Sequence, residues 1–109
     1  MKQHTDALQT MRLKDLGFPA PKSVSKLSLD WDMDTVPTFN YSIGELIEML
    51  PNEIEKKDTL IEALVLCVNE GGWEVYYTDY IFIGSYHLRG ELIDALFDMV
   101  ITLKGKGII

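Results

Sequence analysis

The sequence predicts an α+β domain, and three observations carry that prediction. Trp73-Glu74-Val75-Tyr76-Tyr77-Thr78 is aromatic and β-branched, as a strand requires. Leu92, Ala95, Leu96, Met99, Val100 and Leu103 recur at helical spacing near the end of the chain. Ser42-Ile43-Gly44-Glu45 has the form of a capping box that opens another helix. The expected architecture is a three-stranded antiparallel meander packed against a long C-terminal helix, preceded by an N-terminal helix, an extended strand and a second helix. At 109 residues the chain is expected to be a single domain, 1–109, with residues 1–26 as an N-terminal helix and a Pro-containing arm free to move.

Thr5-Asp6 is suited to cap a short helix through Ala7, Leu8, Met11 and Leu16, which Gly17 then stops. Phe18-Pro19-Ala20-Pro21-Lys22 is an extended connector, because each proline biases its predecessor away from helix. Leu27 to Asp34 alternates strictly, with Leu27, Leu29, Trp31 and Met33 on one face and Ser28, Asp30, Asp32 and Asp34 on the other. That pattern predicts a half-buried strand, or an extended arm pressed on the domain.

Ile43, Leu46, Ile47 and Leu50 form one face of the second helix, which Pro51 ends, and 52–58 reads as a charged loop. The run 59–68 is apolar enough for a buried helix or a central strand. The turn Asn69-Glu70-Gly71-Gly72 and the strand after it favour a hairpin partner, hence a strand. Tyr80 to Gly84 supplies the third strand. The last helix is expected from Glu91 to Leu103, with Gly105 at its C-terminal stop. The other face of the sheet would be closed by the N-terminal segments or by a second copy of the chain. The pentapeptide Gly44-Glu45-Leu46-Ile47-Glu48 nearly recurs as Gly90-Glu91-Leu92-Ile93-Asp94, as two amphipathic helix starts built from the same residues.

The formal net charge is −7 and is unevenly placed. Residues 1–26 carry five basic groups against two acidic, and residues 27–103 carry fifteen acidic groups against three basic. An acidic body disfavours direct binding to nucleic acid. No apolar run approaches the length of a membrane helix, and the N-terminus lacks the pattern of a signal peptide, so a cytoplasmic protein without membrane contact is expected. The single Cys67 excludes an intrachain disulfide.

Few residues suggest chemistry. Asp30, Asp32 and Asp34 resemble the start of a calcium loop, but Thr35 and Tyr41 stand where that loop needs Gly and Glu, so no metal site is assigned. The three carboxylates are left as a solvated face, a weak cation site or a docking face for basic groups. His87 lies between the expected third strand and last helix, beside Tyr86, where a pocket would give a ligand-binding domain or small enzyme its site. Tyr76, with Tyr80 and Tyr86, would form an exposed tyrosine patch suited to a protein partner. No catalytic residue and no cofactor is assigned.

Leu13-Lys14-Asp15-Leu16-Gly17-Phe18-Pro19, Tyr41 to Pro51, Trp73-Glu74-Val75 and Leu92 to Val100 occur in this order over most of the chain. The arrangement resembles a group of small proteins carried by prophages and mobile elements of gut bacteria, which has no established activity. The expected function is a non-enzymatic protein-interaction module of a phage or mobile element, which meets a host or phage protein through its acidic body or its tyrosine face. The alternatives are the ligand-binding domain or enzyme near His87, and an acidic mimic of nucleic acid that inhibits a DNA-binding protein.

Overall fold

Short-range chemistry sets each helix, and in the computed structural model, which describes residues 2–55, 61–78 and 83–109 (55, 69 and 83–89 as backbone only), those signals are met almost residue by residue. Helix α1 is Ala7–Asp15, with Asp6 accepting from Gln9 N–H and Gln9 returning the bond to Asp6 N–H. Gly17, at φ 95°, ends it in a Schellman turn: Phe18 N–H donates to Leu13 O and Gly17 N–H to Lys14 O.

The alternating segment is where expectation and structure part. Strand β1 is Val24–Leu29, and β2, Thr35–Phe39, folds back on it as an antiparallel two-stranded arm. The turn between them is built by Asp30, whose Oδ1 accepts from the N–H groups of Asp32 and Asp34, while Met33 takes a left-handed φ of 64°. Asp30, Asp32 and Asp34 therefore sit in a turn, not along a strand. Leu27 and Leu29 are each 63% exposed, Met33 is 71% exposed, and Trp31 is fully exposed. The expected half-buried face is thus bare. Alternation specifies an amphipathic strand, but burial needs an element laid over it, and β1 and β2 pack mainly on each other.

Helix α2 is Ile43–Met49, opened by the expected Ser42–Glu45 capping box. In place of a loop, β3, Glu53–Glu55, adds a short edge strand to β4, Ile61–Asn69. Residues 56–60 of the expected loop and strand lie outside the described residues. Strand β5 is Gly72–Thr78 and β6 is Ile83–Gly90. The sheet order is β3-β4-β5-β6, so the expected antiparallel meander β4-β5-β6 is present. Gly72, at φ 113°, permits the β4–β5 turn, and a Cβ there would stand 3.0 Å from Gly90 O.

Helix α3, Leu92–Gly105, runs two residues beyond its expected end. Gly107, not Gly105, is the left-handed stop, with Ile108 N–H on Leu103 O and Gly107 N–H on Lys104 O. The two near-identical pentapeptides diverge here: Ser42 caps α2, whereas Glu91 gives α3 no side-chain cap.

Helix α3 packs on β5, β6 and α2. Leu96, Met99, Val100 and Leu103 meet Val75 and Tyr77 from the sheet and Leu46 from α2 in one core, which Leu13 of α1 joins. Burying a Leu- or Met-sized side chain contributes roughly 1.5–3 kcal/mol before chain entropy is counted. α1 presents Thr10 and Leu13 to the core, so Leu8, Met11 and Leu16 face outward, contrary to the expected stripe. Its N-terminal lead is held in cis by charge: Lys2 Nζ lies 3.0 Å from Asp94 Oδ1, which also accepts from Gln9 Nε2. Among the described residues no helix is long and apolar enough to cross a membrane.

Candidate functional site: the projecting arm and its root

The arm has two chemically different faces, fixed by register. Leu27 pairs with Pro37, Leu29 with Thr35, and Val24 with Phe39 across a bulge. These residues form one stripe, and Val24, Leu27, Leu29 and Phe39 are all exposed on it. Lys26 pairs with Thr38 and Ser28 with Val36, giving the more polar second face. Trp31 and Met33 are exposed in the turn at the tip, which also carries three carboxylates.

Ligand oxygens of Asp30, Asp32 and Asp34 lie within 4.8 Å of one another. The fold therefore brings together three residues that alternation had only placed on one side of a strand. Asp30 Oδ1 is already engaged by two backbone N–H groups, which accounts for its place in the cluster without any ion.

The root of the arm is rigidly wired. Thr10 Oγ1 donates to Asn40 Oδ1, so the Thr5 hydroxyl, 2.7 Å away, must donate to Thr10 and accept from Tyr41 N–H. Asn40 Nδ2 then donates to Ser25 Oγ, which donates to Thr38 O. One directed chain of hydrogen bonds thus links the start of α1 to both strands of the arm. Thr5 and Thr10 are buried, so these bonds also satisfy groups that water cannot reach.

On the other side, Glu45 joins the arm to α2. Its carboxylate accepts from Ser42 N–H, Lys22 N–H and Ser23 Oγ. Burial pushes its pKa up, but the bonds from Ser23, Lys22 and Ser42 outweigh that and hold it at about 2. Tyr41, buried beside it, donates to Pro19 O, and burial followed by the Glu45 charge raises its phenol.

Two pockets flank this root. One, of about 470 Å³, is lined by Phe18, Pro19, Lys22, Tyr41, Glu45 and Met49 among others. The second, of about 350 Å³, lies between α1 and β2, with Ala7, Met11, Lys14, Phe39 and Asn40 in its walls. Phe39 therefore both ends the apolar stripe and walls the second pocket.

The tyrosine and histidine candidates are placed differently. His87 is in β6, paired with Tyr76, rather than in a connecting loop. Gly84 reads as a strand end in sequence, yet β6 continues past it to Gly90 because β5 supplies its pairing partners. Tyr76 is half-buried, and burial followed by neighbouring Cys67 and Glu74 raises its phenol. Cys67 is half-buried and its thiol lies 3.5 Å from Glu74 Oε2. Tyr80 lies outside the described residues, as do the side chains of Tyr86 and His87, so the tyrosine patch and the pocket near His87 fall there too.

Sequence reasoning missed Glu45 as the arm's anchor and the arm itself. A signal was present: Asp30 to Asp34 stands between two β-prone runs, Val24–Leu29 and Thr35–Phe39, as a hairpin turn would. Searches against protein-family models, curated proteins and solved structures find no match to this chain.

Proposed function

We propose that this chain is a non-enzymatic protein-interaction module that grips its partner with the β1–β2 arm. One observation carries the reading: the apolar face of the arm is bare at Val24, Leu27, Leu29 and Phe39, and the turn at its tip holds a fully exposed Trp31. An isolated two-stranded hairpin is marginal in water, and contiguous exposed apolar surface of this kind marks interaction sites. The directed hydrogen-bond chain and Glu45 present the arm in one orientation, so little freedom is lost on binding. The carboxylates beside Trp31 select a partner surface with basic groups around an apolar slot. The resemblance to proteins of prophages and mobile elements is compatible with a small binding module.

The test is a photo-crosslinking residue at position 29, expressed in the native host, with a matched control at the exposed Glu70. Discrete protein adducts at position 29 beyond those of the control are expected. An adduct pattern no different from the control would refute the reading.

A further inference from the structure

We propose that residues 2–5 are a latch on the arm. Docked, they hold it in one direction; released, they let it pivot as a unit about Ser23 and Asn40. The latch goes beyond the interaction reading and does not depend on what the arm binds.

The direction of the arm is set at its root. β1 and β2 pack mainly on each other, so their bearing on the body is fixed where the two strands leave it. Asn40 N–H donates to Ser23 O at that point. The six residues of β1 reach about 20 Å at the usual rise, so a pivot of about 20° at the root carries the tip about 7 Å.

The bonds at the root converge on residues 4 and 5. His4 forms an antiparallel bridge with Ser42. Thr5 N–H donates to Tyr41 O, and the Thr5 hydroxyl accepts from Tyr41 N–H at 3.0 Å. Both bonds grip the chain as it leaves β2. The same hydroxyl starts the relay through Thr10 and Asn40 to Ser25 of β1 and Thr38 O of β2. Ser42, bridged by His4, shares the Glu45 carboxylate with Ser23 on the opposite side of the root. Both anchors of the arm therefore pass through backbone that residues 4 and 5 position. Thr5 is buried, so water does not readily replace its bonds.

The outer end of the segment is built differently. Lys2 Nζ lies 3.0 Å from Asp94 Oδ1 on α3 and 3.6 Å from Asp6 Oδ2, with all three side chains partly exposed. Ion pairs at such exposure are weak and screened by salt. A weak charged handle at Lys2 thus controls a buried bolt at Thr5. Lifting residues 2–5 removes the two bonds on Tyr41 and the start of the relay together, so a change at the handle is read at the tip.

The distance between two spin labels in the full chain tests the latch. The labels are carried by Asp32→Cys in the tip and Glu91→Cys before α3, both exposed positions, with Cys67→Ser removing the native thiol. A single narrow distance distribution is expected. Thr5→Val removes the hydroxyl and should widen the distribution at least about twofold, as a swing of several ångströms at the tip implies. Thr5→Ser keeps the hydroxyl and should leave the width as it was. Lys2→Glu should widen it less, and adding Asp94→Lys should narrow it again. Leu13→Ala weakens the core without touching these bonds and should not change the width. Circular dichroism checks that each labelled variant is folded; if Thr5→Val is not, Lys2→Glu and its rescue by Asp94→Lys decide. Widths indifferent to Thr5→Val and Lys2→Glu overturn the proposal, and so does equal widening by Leu13→Ala.

Discussion

The hydroxyl of Ser23 donates to Glu45 Oε1 across 22 positions of sequence, so the carboxylate that caps α2 also holds the root of the arm. Glu45→Gln should therefore cost more than an ordinary cap substitution, about 1–2 kcal/mol near neutral pH. The pH dependence has a definite sign. The carboxylate is depressed from its ordinary 4.5 to about 2 in the folded protein, so its contribution is complete above about 4.5 and is lost as pH falls through 2. Thermal melts of the wild type and Glu45→Gln should converge over that window. A gap that persists unchanged to pH 2 would contradict the role given to the charge.

Thr10→Val keeps the branched shape and removes one hydroxyl from the directed chain. It leaves the buried Thr5 hydroxyl and the half-buried Asn40 Oδ1, at the wall of the second pocket, each short of a partner. The expected loss is about 1–3 kcal/mol, the usual cost of an unsatisfied buried group. Urea titration should show a lower midpoint with an unchanged slope.

Leu13 and Leu8 lie on the same helix with opposite fates: Leu13 is fully buried and Leu8 is exposed. Leu13→Ala should destabilise by about 2–5 kcal/mol. Leu8→Ala should fall within about 0.5 kcal/mol of wild type. Denaturation of both variants under one set of conditions measures the orientation of α1 directly, and equal losses would mean that the helix is turned otherwise.

Met33 holds a left-handed backbone that costs a side-chain-bearing residue about 1–2 kcal/mol. Glycine relieves this but gives back about 0.5–1 kcal/mol in chain entropy. Met33→Gly should thus stabilise the turn by about 0.5–1 kcal/mol net. In dilute protein, hydrogen exchange should show the Asp30 amide, which donates to Asp34 O, protected a few-fold more than in wild type. Unchanged or faster exchange would count against a strained turn.

The sequence by itself determined what is decided within a few residues of chain. The Ser42–Glu45 box, the stop at Gly17, the aromatic strand and the last helix all depend on neighbours less than two turns away. They could be read because capping, left-handed stops and periodicity are local physics. What only the tertiary structure decided is which side of each pattern is covered. The alternation of Leu27, Leu29, Trp31 and Met33 looks the same whether a helix lies over it or water does. The spacing in α1 likewise fits a buried Leu8–Met11 face as readily as the Thr10–Leu13 face that is buried. Burial depends on elements that arrive from elsewhere in the chain, as α3 reaches Leu13 and β5, whereas β1 receives only β2. The same holds for the proposed site: Glu45 could be read as a cap, but its grip on Ser23 exists only once the arm and α2 have met.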